Sequence, residues 1–387
     1  MRIDRIELLQ VRLPLVHEFE TSSHRKSYLE HVLVRVEDAD GAVGWGEIAS
    51  PSGPFYTAET VETCWSVGSA YLAPALLGAS WEHPGEAPGV WAKVRGNEFA
   101  KAGFDAACWA LWSAARGVPL AGALGGERRT VVAGVSLGIE PTVGALVEQV
   151  ARQVEAGYPR VKLKIAPGWD VEPVTAVRAA FPDLDLHVDA NGAYTEDEEH
   201  LSALRALDTA RLTMIEQPFA PRDLMAAARL QATVDTPICL DESIVDGHDL
   251  ETALAVGACR VLNIKVSRMG GLTAAVAAHD LAREHDIPVW CGGMHEFGVG
   301  RAANVALSSL PGFVLPSDVS GSDKYYARDV VTPPIRADHG TVAVPWDTPG
   351  LGHDVDEEFV RANATRTHSA RAGALKARVH AGAKRRP

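Results

Sequence analysis

Five short apolar segments recur at a regular interval in the middle of the chain, and each carries a charged residue near its end. Their sequences are RVKLKI, LDLHVDAN, TMIEQP, PICLDES and VLNIKVS. The charged residues are Lys164, Asp189, Glu216, Asp241 and Lys265, at spacings of 25, 27, 25 and 24 residues. Because such an interval holds one strand, one helix and two loops, the pattern predicts successive βα units of a parallel barrel.

The alternation within these segments predicts which face of each strand carries the charges. The position before each charged residue is always apolar, and the position two before it is Lys162, His187, Met214, Cys239 or Asn263. One face therefore packs against outer helices, and the other carries the charges into the mouth of the barrel. If Lys164 ends strand 2, Lys265 ends strand 6, so the two lysines face each other across three adjacent carboxylates.

The rest of the chain completes this architecture. Residues 1–129 show alternating strands followed by helical periodicity, which predicts an α+β capping domain. We expect the first barrel strand at 130–139, strand 7 at 287–293 and strand 8 at 312–320, so that a catalytic TIM-like barrel spans 130–320. Residues 321–360 are predicted to return to the cap. The predicted fold class is α/β, with a modified (β/α) barrel and a cap built from both ends of the chain.

Composition and charge restrict the partners. The 387 residues fit a barrel of about 250 residues plus a smaller domain. No apolar run of about 18 residues and no secretory leader is present, so we expect a cytoplasmic protein without membrane contact. The five cysteines show no CxxC spacing, which predicts reduced, buried thiols.

The formal charge of −13 is unevenly distributed, because residues 361–387 hold eight Lys or Arg and no acid. An acidic body argues against nucleic acid as a partner. The Ala, Gly and Arg content of 361–387 predicts a poorly ordered basic tail, although a contact with nucleic acid or membrane is the alternative.

Three convergent carboxylates without His or Cys favour a hard cation with oxygen ligands. Mg²⁺ is the expected ion, with Mn²⁺ as a possible substitute. The alternative is that Asp189, Glu216 and Asp241 are solvated acids or ion-pair partners of the lysines, which is less favoured for three consecutive strands.

Lysine is a poor base at its ordinary pKa of about 10.4. A nearby cation, a second ammonium and burial all disfavour its charged form. We therefore expect Lys164 to be pushed towards neutrality and Lys162 to remain charged, unless both merely neutralise the acids. A metal between two opposed bases suits removal of a proton next to a carboxylate, because the cation stabilises the enediolate that forms.

The motifs VKLKI, VDAN, IEQP, LDES and NIK together resemble the enolase superfamily over nearly the whole chain. The opposed lysines resemble its muconate-lactonizing subgroup. The segments SGPFY, IAPGWD, GRAANVALSSLPGF and SDVSGSDKYY are similar to the branch of o-succinylbenzoate synthases and N-succinylamino acid racemases (N-acylamino acid racemases).

This resemblance implies the residue roles. Asp189, Glu216 and Asp241 would hold Mg²⁺, and Lys164 and Lys265 would be the catalytic pair. Further residues would contact a small-molecule carboxylate substrate: Lys162, Ser136, Asn191, Arg268, Met294 and His295. It also implies a homo-oligomer and either of two reactions, syn dehydration for menaquinone synthesis or inversion of an N-succinyl amino acid, which motifs alone do not separate.

The chain departs from the branch after strand 7. An aliphatic residue followed by Glu and then Thr or Ser is usual there, whereas this chain has His295 and Phe297 around Glu296. The change is either local repacking or a different acyl or ring end of the substrate. The alternatives for function are a muconate cycloisomerase, a dipeptide epimerase, or a catalytically silent binding protein on the same barrel.

Overall fold

The structure is a computed structural model that describes residues 1–20 and 25–372 of the 387, with the side chains of 17–20 and 25–26 left aside. In these ranges an antiparallel cap lies against a parallel barrel. All five cysteines are buried and unpaired, as predicted. No helix in the described residues is long and apolar enough to cross a membrane.

The cap is built on a four-stranded antiparallel sheet in the order β15-β1-β2-β3. Its strands are β1 Ile3–Glu20, β2 Arg25–Asp38, β3 Val43–Ile48 and β15 Ala364–Arg371. Its helices are α1 Val61–Val67, α2 Ala73–Leu76, α3 Glu98–Arg116 and α4 Leu120–Ala123. The first and last described strands are therefore neighbours in one sheet.

Both faces of strand β2 are buried. Successive side chains of a strand point to opposite sides of the sheet. Val32 and Val34 pack into the core of the cap. Leu29 and Leu33 point the other way and join the core that continues into the barrel. His31 lies between them and is 1% exposed. The alternation thus places one histidine at the joint between the two units.

Helix α3 packs very closely on β3, and two glycines make this possible. A Cβ at Gly46 would lie 2.0 Å from the carbonyl oxygen of Gly103, and one at Gly44 would lie 2.3 Å from that of Ala107. Any side chain at these positions would push the helix away from the sheet. The opposite face of β3, with Trp45 and Glu47, is directed towards the barrel.

Two buried carboxylates of the cap lie at the beginnings of barrel helices. Glu47 accepts hydrogen bonds from the backbone N–H groups of Phe297 (2.8 Å) and Gly300 (2.7 Å). Asp105 accepts from the N–H (3.0 Å) and the hydroxyl (2.6 Å) of Thr273. The first turn of a helix has N–H groups without helical partners, and a carboxylate there satisfies them. The cap therefore supplies the N-terminal caps of two barrel helices.

The barrel sheet has seven parallel strands in the order β11-β10-β9-β8-β7-β6-β5. They are β5 Val135–Leu137, β6 Arg160–Lys164, β7 Asp185–Asp189, β8 Ile215–Glu216, β9 Ile238–Leu240, β10 Val261–Ile264 and β11 Val289–Cys291. The outer helices are α5 Val143–Glu155, α6 Val171–Ala180, α7 Glu198–Ala206, α8 Leu224–Gln231, α9 Gly247–Ala255, α10 Leu272–Glu284 and α11 Gly298–Ser308. The predicted fold class, a modified α/β barrel with an α+β cap, is confirmed.

The predicted first strand, 130–139, is divided in two. Its first part, β4 Thr130–Val132, pairs antiparallel with β13 Thr341–Ala343, and only β5 joins the barrel. At the break, a Cβ on Gly134 would lie 2.1 Å from the guanidinium carbon of Arg160. The buried guanidinium of Arg160 therefore leaves no room for a side chain at position 134.

The predicted eighth strand, 312–320, is not a regular strand. Phe313 forms a bridge with Val289, and Ser317 forms one with Ala133, so this segment closes the barrel through isolated contacts. Pro316 stands between the two bridges and has no N–H to donate to a ladder.

The segment after residue 320 returns to the cap, through β12 Val331–Thr332, β14 Asp354–Val355 and α12 Glu357–Ala362. The prediction of a poorly ordered tail from 361 was wrong for its first part, because β15 pairs with β1. Edge pairing uses main-chain hydrogen bonds, which composition does not reveal. Arg366 also lies 3.3 Å from Glu62. The rest of the predicted tail, 373–387, lies outside the described residues.

Candidate active site

The charged residues of the five recurring segments form one row at the carboxyl ends of the strands. Lys164, Asp189 and Glu216 are the last residues of β6, β7 and β8, and they are partners in the strand register. Asp241 and Lys265 come one residue after β9 and β10. The three acids are at most 1% exposed. The sheet order therefore brings all five residues to the same edge.

A lysine stands at each end of this row. The ammonium of Lys164 lies 2.5 Å from Asp189 Oδ2, and that of Lys265 lies 2.8 Å from Asp241 Oδ2. Strands β7, β8 and β9 separate the two lysines. The row formed by these five residues, called here the carboxylate row, has the order Lys164, Asp189, Glu216, Asp241, Lys265.

Burial and charge act in opposite directions on the acids of the row. Burial raises the pKa of Glu216 to about 8, and the neighbouring carboxylate of Asp189 adds to the effect. For Asp189, burial would raise the pKa, but the ammonium groups of Lys164 and Lys162 outweigh it and lower the pKa. Asp241 behaves similarly, since Lys265 and Arg268 lower its pKa against burial. The middle of the row is the part with the least compensating positive charge.

Two lysines of the site, Lys162 and Lys265, are held in their charged form by nearby carboxylates. Burial would lower the pKa of Lys162, but Asp318 and Glu216 raise it above its ordinary value. The pKa of Lys265 is raised in the same way, mainly by Asp241 against the effect of burial. The expectation of a charged Lys162 agrees with these contacts. For Lys265 to act as a neutral base, its partner Asp241 would have to bind another cation instead.

The donor set of the row fits a hard divalent cation. Among the described residues, no three acidic, His or Cys side chains stand in the geometry of a closed metal site. The contacts give the reason, because each carboxylate is directed at a basic group. Lys162 Nζ lies 3.4 Å from Asp189 Oδ2 and 3.2 Å from Glu216 Oε2. Asp189 and Glu216 thus share the ammonium group of Lys162. Carboxylate oxygens are also the ligands that Mg²⁺ prefers.

A cavity of about 310 Å³ opens between the row and the cap. Of the predicted site residues, eight line it: Ser136, Lys162, Lys164, Asp189, Asn191, Lys265, Met294 and His295. Its other walls come from cap strand β2, the loop at 50–56 and the segment around Tyr325. The cavity therefore joins barrel residues to cap residues.

Two predicted substrate contacts are fixed by neighbouring side chains. The hydroxyl of Ser136 donates to Asp318 Oδ2 at 3.1 Å. The side-chain oxygen of Asn191 accepts from Lys164, and its amide donates to Glu242 at 2.8 Å. Both residues thus hold charged groups of the cavity in position.

The segment after β11 approaches the cavity in an unusual backbone conformation. His295 has a φ of 61°, in the left-handed region. Its carbonyl oxygen accepts from the hydroxyl of Tyr326 at 2.6 Å, and its ring lies 5.0 Å from that of Tyr325. The N–H of Met294 donates to Glu296 at 2.9 Å.

Arg268 is buried behind the carboxylate of Asp241. It is 4% exposed and is not among the described residues that line the cavity. Its guanidinium donates to Asp241 and to the carbonyl oxygen of Ile244 (2.7 Å). The contact of Arg268 with substrate stays a prediction, and in the structure its guanidinium is next to Asp241.

Sequence reasoning missed three residues of the site. Tyr56, from the cap, donates to Asp241 at 2.9 Å and lies 3.3 Å from Lys265 Nζ. Glu242 lines the cavity, and burial followed by repulsion from Asp241 raises its pKa to about 7. Asp318 lies 2.8 Å from Arg160 and 3.1 Å from Lys162. The SGPFY motif was the available signal for Tyr56, but spacing gave none for its contact.

This fold and this row of charges define a class of protein. The chain matches the family described as mandelate racemase / muconate lactonizing enzyme, N-terminal domain, over residues 5–125, and the family described as enolase C-terminal domain-like over residues 145–359. The chain belongs to the enolase superfamily. Members of this family depend on a divalent metal ion, typically Mg²⁺.

Several similar proteins are o-succinylbenzoate synthases or N-succinylamino acid racemases. An o-succinylbenzoate synthase of Geobacillus kaustophilus is 46% identical over 360 residues, which cover 93% of this chain and 95% of that protein. An N-succinylamino acid racemase of Amycolatopsis is 43% identical, covering 91% and 95%. A solved enolase superfamily member from Listeria innocua has a TM-score of 0.93 at 36% identity, covering 96% and 100%. Muconate cycloisomerase 1 of Rhodococcus opacus is more distant, at 28% identity.

Proposed function

We propose that this protein removes the proton next to a substrate carboxylate, as an o-succinylbenzoate synthase, an N-succinylamino acid racemase, or both. The carboxylate row carries this proposal, because it has one lysine at each end of three buried acids. The similarity to synthases and racemases supports the choice of a succinyl-bearing substrate.

The two lysines would act from opposite ends of the row. Lys164 takes the proton from one face of the substrate carbon, and Lys265 delivers one to the other face when the product is the inverted amino acid. For syn dehydration, Lys164 removes the proton and can return it to the hydroxyl that leaves from the same face as water. Lys265 then remains charged and stabilises the negative charge that develops.

Asp189, Glu216 and Asp241 would hold Mg²⁺, with Mn²⁺ as a substitute. When bound, the ion supplies positive charge to the substrate carboxylate and engages the acids that otherwise hold the lysines charged. Arg268 and Tyr56, both hydrogen-bonded to Asp241, orient that carboxylate. Lys162 remains charged and faces the substrate from the floor of the cavity.

The other enzyme readings have less support. A dipeptide epimerase is expected to use two acids near the end of strand 8 to bind an amine. Here Asp318 is engaged by Arg160 and Lys162, and the residue two positions on is Ser320. Retention of all five charged residues of the row argues against a silent binding protein.

Assays with both substrate types test the proposal. The purified protein, with Mg²⁺, is given the succinyl-hydroxycyclohexadiene carboxylate and, separately, a panel of N-succinyl amino acids. Dehydration is followed by absorbance, and inversion by polarimetry together with exchange of the α-proton in D₂O. We expect turnover of at least one substrate. Absence of dehydration, inversion and exchange would contradict the proposed function.

A further inference from the structure

His31 brings a polar group from the cap to the cavity wall, although it lies on an otherwise apolar strand face. It is 1% exposed, and its neighbours on that face are Leu29 and Leu33. Burying an imidazole costs free energy unless its nitrogens find partners. Its position therefore requires an explanation beyond filling space.

Glu47 fixes the orientation of this ring. His31 Nδ1 lies 2.6 Å from Glu47 Oε1, and the same carboxylate accepts the N–H groups of Phe297 and Gly300. The ring also lies 4.7 Å from that of Phe297. Because Nδ1 is directed at the carboxylate, Nε2 points away from it. Among the residues that the structure describes, Nε2 has no hydrogen-bond partner, and His31 lines the cavity.

A buried guanidinium group also lines the cavity. Arg301, 1% exposed, follows Phe297 by four residues, so the two share a face at the start of α11. Its Nη atoms donate to the carbonyl oxygens of Ser320 (2.7 Å) and Glu296 (3.0 Å). Its Nε has no hydrogen-bond partner in the described part of the chain.

Glu296 also lines the cavity, and its Oε1 already accepts the N–H of Met294. With Glu47 engaging Nδ1, the other ring nitrogen of His31 is left for a ligand in the cavity. This cavity therefore combines a ring nitrogen without a described partner with the buried guanidinium of Arg301, and both can meet an anion.

We propose that His31, oriented by Glu47, binds the distal carboxylate of the succinyl arm. The inference rests on the proposed function, since both proposed substrates carry this second carboxylate. It makes His31 a specificity-determining residue and Glu47 its positioning residue. Phe297, one of the two departures from the branch, is then the surface on which the ring of His31 rests.

Calorimetry with two matched ligands tests this role. N-succinylglycine carries the distal carboxylate, and N-pentanoylglycine has a similar length without the charge. With Mg²⁺ present, we expect His31→Leu to weaken binding of N-succinylglycine about 10- to 100-fold, the usual value of a charged hydrogen bond. Binding of N-pentanoylglycine should change by less than about twofold. His31→Gln, which keeps a neutral donor, should fall between wild type and His31→Leu.

Leu29→Ala is the matched control, because Leu29 lies two residues away on the same strand and lines the same cavity. It changes volume without changing charge, so it should affect both ligands alike. Glu47→Gln should reduce the preference for N-succinylglycine while His31 stays in place. An equal loss for both ligands in His31→Leu and His31→Gln, or no loss for either, would overturn the proposal.

The outcomes for the wild type separate this inference from the proposed function. Preferred binding of N-succinylglycine without turnover of any substrate would contradict the proposed function and leave the role of His31 standing. Turnover of a substrate, with no preference between the two ligands in binding, would support the proposed function and contradict the role of His31.

Discussion

The molecule has two groups of buried carboxylates, and they differ in the groups that donate hydrogen bonds to them. In the carboxylate row, Asp189 and Asp241 are held by ammonium and guanidinium groups. In the cap, Glu47 and Asp105 are held by backbone N–H groups at the beginnings of α11 and α10. In the carboxylate row, a metal ion or a substrate can replace the basic side chains as partners of the acids. The second group has fixed partners that hold two units together.

This difference separates chemistry from assembly. Side-chain cations can leave their acids when a metal ion or a substrate arrives, so the row can change its partners during a reaction. Backbone N–H groups cannot move without unwinding a helix turn. Acids of the same chemical type are therefore expected to respond differently to substitution, in activity for the row and in stability for the cap.

The largest expected effect is at the ends of the row. Lys164→Ala should reduce both dehydration and inversion by about 1000-fold or more, because removing a general base typically costs that much. The measurement is kcat/KM for both substrates at saturating Mg²⁺, with the melting temperature as a control for folding. A variant that keeps either activity would remove Lys164 from the mechanism.

Lys265→Ala should abolish inversion, since inversion needs a proton donor on the second face. Loss of the Asp241 partner should leave the fold intact, because Arg268 still pairs with that acid. Optical rotation of an N-succinyl amino acid follows the reaction. Inversion that continues in this variant would disprove the two-base mechanism.

Asp241→Asn tests one of the three acids of the row. The amide keeps the shape but removes the charge, so we expect affinity for Mg²⁺ to fall at least about 100-fold, beyond the usual loss for outer-shell residues. Titration calorimetry of the apoprotein with Mg²⁺ measures this. Glu242→Gln, next to it in the chain, is the matched comparison and should retain more of the affinity.

The pH dependence of stability tests Asp105, one of the two buried carboxylates of the cap. Burial raises the pKa of Asp105 to about 6, above its value in the unfolded chain. A raised pKa means that the folded state binds the proton more tightly, so this stabilisation is complete below about pH 4 and is lost as pH rises through about 6. Relative to Asp105→Asn, the wild type should lose up to about 3 kcal/mol between these pH values.

Urea unfolding of both proteins across pH 4 to 7 measures the difference. The free energy of unfolding of the wild type should fall relative to that of Asp105→Asn as the pH rises from about 4 through about 6. Parallel curves across the whole range would show that Asp105 does not titrate there. Activity at pH 7 should be similar in the two proteins, in contrast with the variants of the row.

The smallest effect is expected at His295. Its left-handed φ of 61° disfavours a β-branched replacement, so Leu is a better probe than Ile. If the imidazole contacts the acyl end, His295→Leu should shift the acyl preference in kcat/KM about tenfold. An unchanged preference would leave His295 as a packing residue against Tyr325.

The row itself could be predicted from sequence, because strand period and sheet order are both regular. Lys164, Asp189 and Glu216 end consecutive strands as the spacing indicates. Contacts between the cap and the barrel could not be predicted in this way. Tyr56 meets Asp241 across 185 residues of chain, and no local pattern encodes that approach.

The irregular closure of the barrel was also beyond the pattern. The apolar run at 312–320 looks like a strand, but Pro316 interrupts the ladder. Likewise, the composition of 361–371 gave no sign of β15, whose pairing depends on an edge supplied by the first strand of the chain. Pattern predicts what each segment prefers, and tertiary contacts decide what it becomes.

Strand β15 has a practical consequence for anyone who shortens this protein. A truncation at 360, which composition alone would suggest, would leave one side of β1 with a row of bare amide and carbonyl groups from Arg5 to Val11. Such an edge can recruit a strand from another molecule, and the shortened protein would then be prone to aggregate. Arg371, the last residue of β15, is the earliest safe place to end the chain.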